Sequence, residues 1–376
     1  MRGLPQGTPS QCDVTRHHDR RSRSPTTGYG NVADSAVIPV TGRPTAAMHT
    51  LTRSTIRELV SALRFGECLC RFPCDRNTHV FDQVAQHAHH RSSARHSDII
   101  TTQWRVLTNH AFLRDVNLES LQHRANFTCV ANIYDHRSAP SNALFVLFTH
   151  KMVGGGCFRS GLRLNEQLIT QSQDLALRLY LTRPVLDWNE GVTFAGVHFD
   201  AWWSKDTAAA LGTSVRPDDI LSADTGPMTV LALDAPPLRL AYGYDRASLT
   251  ALVCKILLVY ATAAKADSPV IYTGLIGSDA SHNNRPLILL LHLLLEPFRN
   301  VRPIIFHYPV LSMTGTIMAS LQERTILTRA ASYLEQLRAA RIRTVQDAIE
   351  HILEWQLPTS CRDCDLAGDS TQHVCG

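Results

Sequence analysis

LFVLFTHKMVGGGCFRSGLRLNEQLITQSQDLALRL, residues Leu144 to Leu179, decides how the chain reads. Leu144 to Phe148 is an apolar run with the length and content of a buried strand. Three glycines follow, Gly154, Gly155 and Gly156. The polar triplet Asn165-Glu166-Gln167 then leads into Leu168, Ile169, Leu175 and Leu177 at helical spacing. Strand, glycine turn and helix make an anion site in α/β proteins. Glycine exposes backbone N–H groups, and a helix start nearby adds partial positive charge. An acid at the helix entrance then stands near whatever the phosphates carry. Each piece also has a plainer reading: glycines as a tight turn, and Glu166 as a first-turn acid matched to the helix dipole. A P-loop is disfavoured, because no Gly-Lys-Ser/Thr follows the glycines.

Working outward, strands and helices alternate on both sides. FTCVANIY (127–134), VTFAGVHF (192–199), MTVLAL (228–233), Val270 to Thr273 and VRPIIFHY (301–308) read as strands. Arg246 to Ala264 carries Leu249, Leu252, Val253, Ile256, Leu257 and Tyr260 at core spacing and reads as a long helix. Pro286 suits the first turn of a second apolar helix, whose LILLLHLLL run is too short for a membrane span of about 20 residues. This order predicts an α/β sandwich on a mostly central sheet, with ligands at the carboxyl ends of the strands. The 154–167 and 274–285 loops both leave such ends. Two amphipathic stretches, Thr316 to Ala339 and Thr344 to Trp355, read as packing appendages or an interaction arm.

The 376 residues are enough for a full core, and a net charge of +4 gives no strongly basic nucleic-acid footprint. Residues 1–50 lack hydrophobic periodicity and read as a disordered polar tail with a basic cluster, RHHDRRSR, at 16–23. Thr55 to Phe65 reads as a short capped helix, followed by Cys68, Cys70, Cys74 and His79 in no familiar zinc spacing. Ten cysteines without a secretory signal favour free thiols in a reducing, intracellular compartment. Cys361, Cys364, His373 and Cys375 form a candidate zinc set; unpaired thiols on a loose tail are the alternative. Four regions result: a tail (1–50), a main domain (51–310), a helical appendage (311–357) and a Cys/His tail (358–376).

The ordered pieces resemble the poly(ADP-ribose) glycohydrolase branch of the macrodomain superfamily, most closely its microbial type. That family has three glycines, six to eight residues, then Gln-Glu-Glu. This chain has Gly154-Gly155-Gly156, eight residues, then Asn165-Glu166-Gln167. MTVLALDAPPLR looks like the family's strand ending in Ala-Pro, and TGLIGSDASHNNRP like its Gly-Ala-Trp-Gly-Cys-Gly loop with a downstream Asn and Pro. The resemblance covers roughly residues 50–310, patchily before 126. It implies a macrodomain-like three-layer α/β/α sandwich with a mixed central sheet. It also implies a site for ADP-ribose, or for ADP-ribosylated proteins, contacted by Gly154, Gly155, Gly156, Asn165, Gly274, Gly277, Ser278 and Asn283. No cofactor is required by it, and no membrane or specific nucleic acid is expected.

In the family the second Glu of the triplet is the general acid/base at the ribosyl bond. A carboxyl group can donate a proton to the leaving oxygen and accept one from water. Triplet on triplet, Gln167 takes that place and Glu166 takes the ribose-positioning one. A register one residue shorter puts Glu166 in the catalytic place. The family's Asn-Pro before the glycines is Met152-Val153 here, and Ile276-Gly277-Ser278-Asp279 replaces Trp-Gly-Cys-Gly. Three readings stand: a glycohydrolase using Glu166, a macrodomain that binds without cleaving, and an interaction protein with a decayed site.

Overall fold

The computed structural model describes residues 37–39, 99–107, 127–130, 136–154, 168–182, 184–202, 221–223, 225–235, 244–277, 283–298, 303–307 and 316–355. Ten strands lie in them: β1 (Val37–Pro39), β2 (Ile100–Val106), β3 (Phe127–Val130), β4 (Leu144–Thr149), β5 (Glu190–Val197), β6 (Ala201–Trp202), β7 (Leu221–Ser222), β8 (Met228–Asp234), β9 (Ile271–Gly274) and β10 (Ile304–His307). The helices are α1 (Gln173–Thr182), α2 (Arg246–Lys265), α3 (Arg285–Leu294), α4 (Thr316–Ala339) and α5 (Val345–Glu354). Eight strands form one mixed sheet in the order β1-β2-β5-β8-β4-β9-β10-β3. From β8 to β3 the neighbours are parallel; β5, β2 and β1 add on antiparallel. A short β6–β7 pair stands apart.

Period-two alternation sorts each strand between two cores. Leu144 and Val146 of β4, Leu231 and Leu233 of β8, and Ile304 and Phe306 of β10 face a large core shared with α2, α3, α4 and α5. Phe145, Leu147, Val230 and Ala232 face the opposite core, which α1 closes with Leu175, Ala176 and Leu179. Helices on both faces make three layers, the α/β/α sandwich with a mixed sheet. Helix α2 is apolar all round because the core surrounds it: every residue from Ala251 to Ala263 is buried. It is long and apolar enough to cross a membrane, but it lies inside this core. In α3, His292 is wholly buried and its Nδ1 meets Tyr260 Oη at 2.8 Å, which satisfies a polar atom among leucines.

Two local readings change, and a third is decided between its alternatives. Val37–Pro39, inside the segment read as a disordered tail, is β1, paired antiparallel with β2. The helix expected after the triplet is broken: Leu168, Ile169 and Thr170 are helical, the chain turns at Gln171, and α1 starts afresh. Ser172 Oγ accepts the Leu175 N–H at 3.3 Å, the capping bond that nucleates the new start. For α4 and α5 the packing-appendage alternative is the one observed: Ile326, Ala330, Leu334, Leu337, Val345, Ala348, Ile349 and Ile352 are buried in the α2–α3 core. The Thr55 to Phe65 helix, the Cys68–His79 group and the Cys/His tail lie outside the described residues.

Candidate ligand site at the carboxyl edge of the sheet

The parallel strands end side by side at Thr149, Asp234, Gly274 and His307. Strands β4 and β9 pair only at Leu144–Ile271 and Phe145–Tyr272. Beyond that, β4 stays with β8 as far as Thr149–Asp234, while β9 stays with β10 as far as Gly274–His307. Strands β4 and β9 are thus neighbours at the junction of the β8–β4 and β9–β10 pairs. Both glycine-bearing loops leave the carboxyl ends of these two strands, the two lips of the candidate site. A crevice outside carboxyl ends is where open α/β sheets take ligands.

On the β4 lip, Gly154 has φ 79° and donates its N–H to Thr149 Oγ1 at 3.2 Å. That left-handed conformation favours glycine. The residues before it are clamped to a strap at 184–190. Met152 bridges Val185 antiparallel, Val153 N–H bonds Pro184 O at 3.0 Å, and Leu186 N–H bonds Lys151 O at 3.0 Å. On the β9 lip, Gly277 has φ 67°. Asn283 closes this loop: its backbone N–H donates to Gly277 O at 3.1 Å and its Nδ2 to Ile276 O at 2.7 Å. Asn283 is fully buried, and its Oδ1 has no partner among the described residues. Asn284 then caps α3, its Oδ1 accepting the Leu287 N–H at 3.0 Å, while its own N–H donates to Tyr244 Oη. Burial pushes the Tyr244 phenol well above its ordinary range, so it remains a neutral partner. The capping bonds use up much of what the start of α3 could offer an anion, and Pro286 has no N–H.

Of the residues the sequence points to, the structure brings Gly154, Gly274, Gly277 and Asn283 to the two lips. Gly155, Gly156, Asn165, Glu166, Gln167 and Ser278 lie outside the described residues, as do Cys361, Cys364, His373 and Cys375. Among the described residues no group of three His, Cys, Asp or Glu side chains is placed to hold a metal.

The sequence reading missed a buried charge network beneath the β4 lip. Glu190, with no exposed surface, opens β5. Its Oε1 accepts Arg105 Nε at 2.9 Å and Nη2 at 2.5 Å. Its Oε2 accepts Gln103 Nε2 at 2.8 Å and the Asp187 N–H at 3.0 Å. Lys255 reaches the same place from the middle of α2. Its ammonium donates to the Asp234 carboxylate, to Glu190 O at 2.7 Å and to Asp187 O at 3.3 Å. Burial lowers the Lys255 pKa, and the Asp234 charge pulls it back up. One sign was available in the sequence: Lys255 is the one charged residue between Arg246 and Lys265.

No protein-family model and no curated protein matches this chain. Solved structures do. Poly(ADP-ribose) glycohydrolase from Thermomonospora curvata is 16% identical over 62% of this chain and 84% of its own, with a TM-score of 0.39. The same protein bound to the inhibitor ADP-HPD is 17% identical over 65% and 88%, also at 0.39. Poly(ADP-ribose) glycohydrolase from Deinococcus radiodurans in complex with ADP-ribose is 15% identical over 61% and 99%, at 0.36. Likeness at this level assigns neither ligand nor reaction; these are structures of the family branch that the glycine motif resembles.

Proposed function

We propose that this chain binds ADP-ribosyl groups carried on proteins, with the diphosphate in the crevice between β4 and β9. The observation that carries the reading is a left-handed glycine, Gly154 and Gly277, in each of the two loops that leave adjacent strands β4 and β9 at one carboxyl edge. Glycine turns at such an edge let the backbone approach an anion closely. The buried free thiol of Cys254 goes with a reducing intracellular setting.

Cleavage turns on the triplet. If Glu166 stands at the ribosyl bond, its carboxylic acid gives a proton to the leaving oxygen. Water then adds to the anomeric carbon and returns a proton to the carboxylate. If Gln167 stands there, the amide can hydrogen-bond a hydroxyl but moves no proton, and the chain binds without cleaving. The reading as a decayed scaffold is favoured by one observation: Asn283 donates its backbone N–H and its Nδ2 to carbonyls of its own loop, and the Asn284 N–H goes to Tyr244 Oη.

Calorimetry with free ADP-ribose is the test of binding; no heat at millimolar ligand leaves only the scaffold. Release of ADP-ribose from a modified protein separates the other two. An inert wild type with activity gained in Gln167→Glu means a binder that lost its acid. An active wild type silenced by Glu166→Ala means a hydrolase in the shorter register.

A further inference from the structure

The ammonium of Lys255 is a costly thing to place in the middle of an apolar helix. Replacing both members of a buried ion pair by well-packed apolar groups is often neutral or stabilising, whereas removing one member strands the other. Lys255 is nonetheless held by oxygens from two sources beyond α2. One is the side chain of Asp234 at the end of β8. The other is the pair of carbonyls, Asp187 O and Glu190 O, that begin and end one tight turn. That turn is closed on itself by the Glu190 N–H to Asp187 O bond at 3.0 Å and by the Asp187 N–H to Glu190 Oε2 bond at 3.0 Å. It is the end of the 184–190 strap. Gln103 Nε2 and Arg105 hold it from β2 on the other side. The strap in turn carries the bridge from Val185 to Met152 and the two backbone bonds at Val153 and Leu186. Gly154 is the next residue.

We propose that Lys255 is a positioning residue for the ligand site: through the Asp187–Glu190 turn it fixes the strap against which the glycine turn at Gly154 is set. This rests on the reading of the β4–β9 crevice as an ADP-ribose site, and it adds a determinant 101 residues from Gly154 that touches no ligand. An apolar residue at 255 would fill the same space but remove the ammonium that ties the turn to α2 through Glu190 O and Asp187 O, so the strap would loosen while the sheet persisted. Asp234 and Glu190 keep the local charge balanced against Lys255 and Arg105, so the lysine works as a donor to the turn rather than as a source of field at the crevice.

Two measurements on the full chain test it: native-state hydrogen exchange by mass spectrometry, and calorimetry with ADP-ribose. The variants are Lys255→Met and Lys255→Gln. The control is Leu337→Ala, a buried α4 position in the same core but far from the strap in sequence and element. In Lys255→Met, peptides covering 150–156 and 183–190 exchange about tenfold faster or more, and ADP-ribose binds about tenfold more weakly, the size of one hydrogen bond to a charged group. Peptides from β8 and α3 keep wild-type exchange. Lys255→Gln, which retains a donor, falls between; should the methionine variant not fold, the glutamine variant carries the test alone. Leu337→Ala loses stability but keeps both strap exchange and affinity.

Wild-type strap exchange in whichever Lys255 variant folds overturns the proposal, and so does a strap that loosens with affinity unchanged. The same loss of affinity in Leu337→Ala also overturns it, because the effect is then one of general stability. A wild type that fails to bind ADP-ribose at all removes the functional reading and the ligand role with it. The exchange arm then still reports whether Lys255 holds the strap.

Discussion

Replacing Glu190 by glutamine changes one oxygen into an NH2 group, and the structure fixes what that does. Glu190 is buried, and the four hydrogen bonds resolved at its carboxylate all come from donors: Arg105 Nε and Nη2 on Oε1, Gln103 Nε2 and Asp187 N–H on Oε2. A glutamine has one acceptor oxygen. If its oxygen faces Arg105, its NH2 group meets Gln103 and the Asp187 N–H head to head. Gln103 can rotate its amide to present oxygen, giving up its 3.4 Å bond to Val185 O, but the backbone N–H of Asp187 cannot turn. One orphaned, partly buried donor costs about 1–3 kcal/mol. Losing the charge opposite Arg105 adds little, since that side chain is 39% exposed and screened by water. The expected loss for Glu190→Gln is therefore about 2 kcal/mol, against about 3 kcal/mol for Arg105→Met, which leaves a wholly buried carboxylate without its two guanidinium donors. Urea unfolding followed by far-UV circular dichroism measures both: the midpoint falls and the slope stays constant. A Glu190→Gln loss below about 0.5 kcal/mol refutes the donor-crowding argument.

The Cys254 thiol is pushed up from 9.0 to about 12, mainly by burial. Between those values the unfolded chain has released a proton that the native chain still holds, so stability falls as pH rises through that window. Lys255 acts in the opposite sense: its pKa is lowered, so stability rises with pH between its folded and unfolded values. Cys254→Ala removes only the first effect and should show a shallower alkaline loss than wild type between about pH 9 and about pH 11; equal slopes would contradict the burial argument. Natively, the peptide carrying Cys254 should resist iodoacetamide at pH 8 and react only on unfolding, as mass spectrometry would read. Arg246 and Glu350 join α2 to α5, but their side chains are 66% and 35% exposed. Glu350→Ala should cost less than about 1 kcal/mol in thermal unfolding, shrinking further in high salt, and a larger loss would mean the pair does more than its exposure allows.

Much of the fold was legible because the signals that carry it are local. LFVLF, MTVLAL and the Arg246 helix announce themselves by composition and period, and the structure has β4, β8 and α2 there. Pro286 marked the start of α3, where Asn284 supplies the cap. The antiparallel side of the sheet was harder. Val37–Pro39 is three residues long, too short for periodicity to register, and is a strand only because β2 lies beside it. Ile100–Val106 mixes Thr, Gln and Arg with apolar residues, since Trp104 and Val106 meet the large core while Gln103 and Arg105, on the other face, bind the Glu190 carboxylate. The break at Gln171 was hidden because Leu168, Ile169 and Leu175 hold helical spacing across it.

The sequence by itself determined the strands and helices of the parallel side, the two apolar helices and the pair of glycine loops, because period and turn chemistry are properties of neighbouring residues. Only the tertiary structure decided that β4 and β9 are neighbours, since pairing is set by packing between segments more than 120 residues apart. It alone joined Lys255 to Glu190, 65 residues away, and Arg105 to Glu190, 85 residues away. A charge in an apolar helix says that a partner must exist, because burying it bare is prohibitive. Which partner it has, and that the partner's strap ends at the glycine turn, follows from the folded chain.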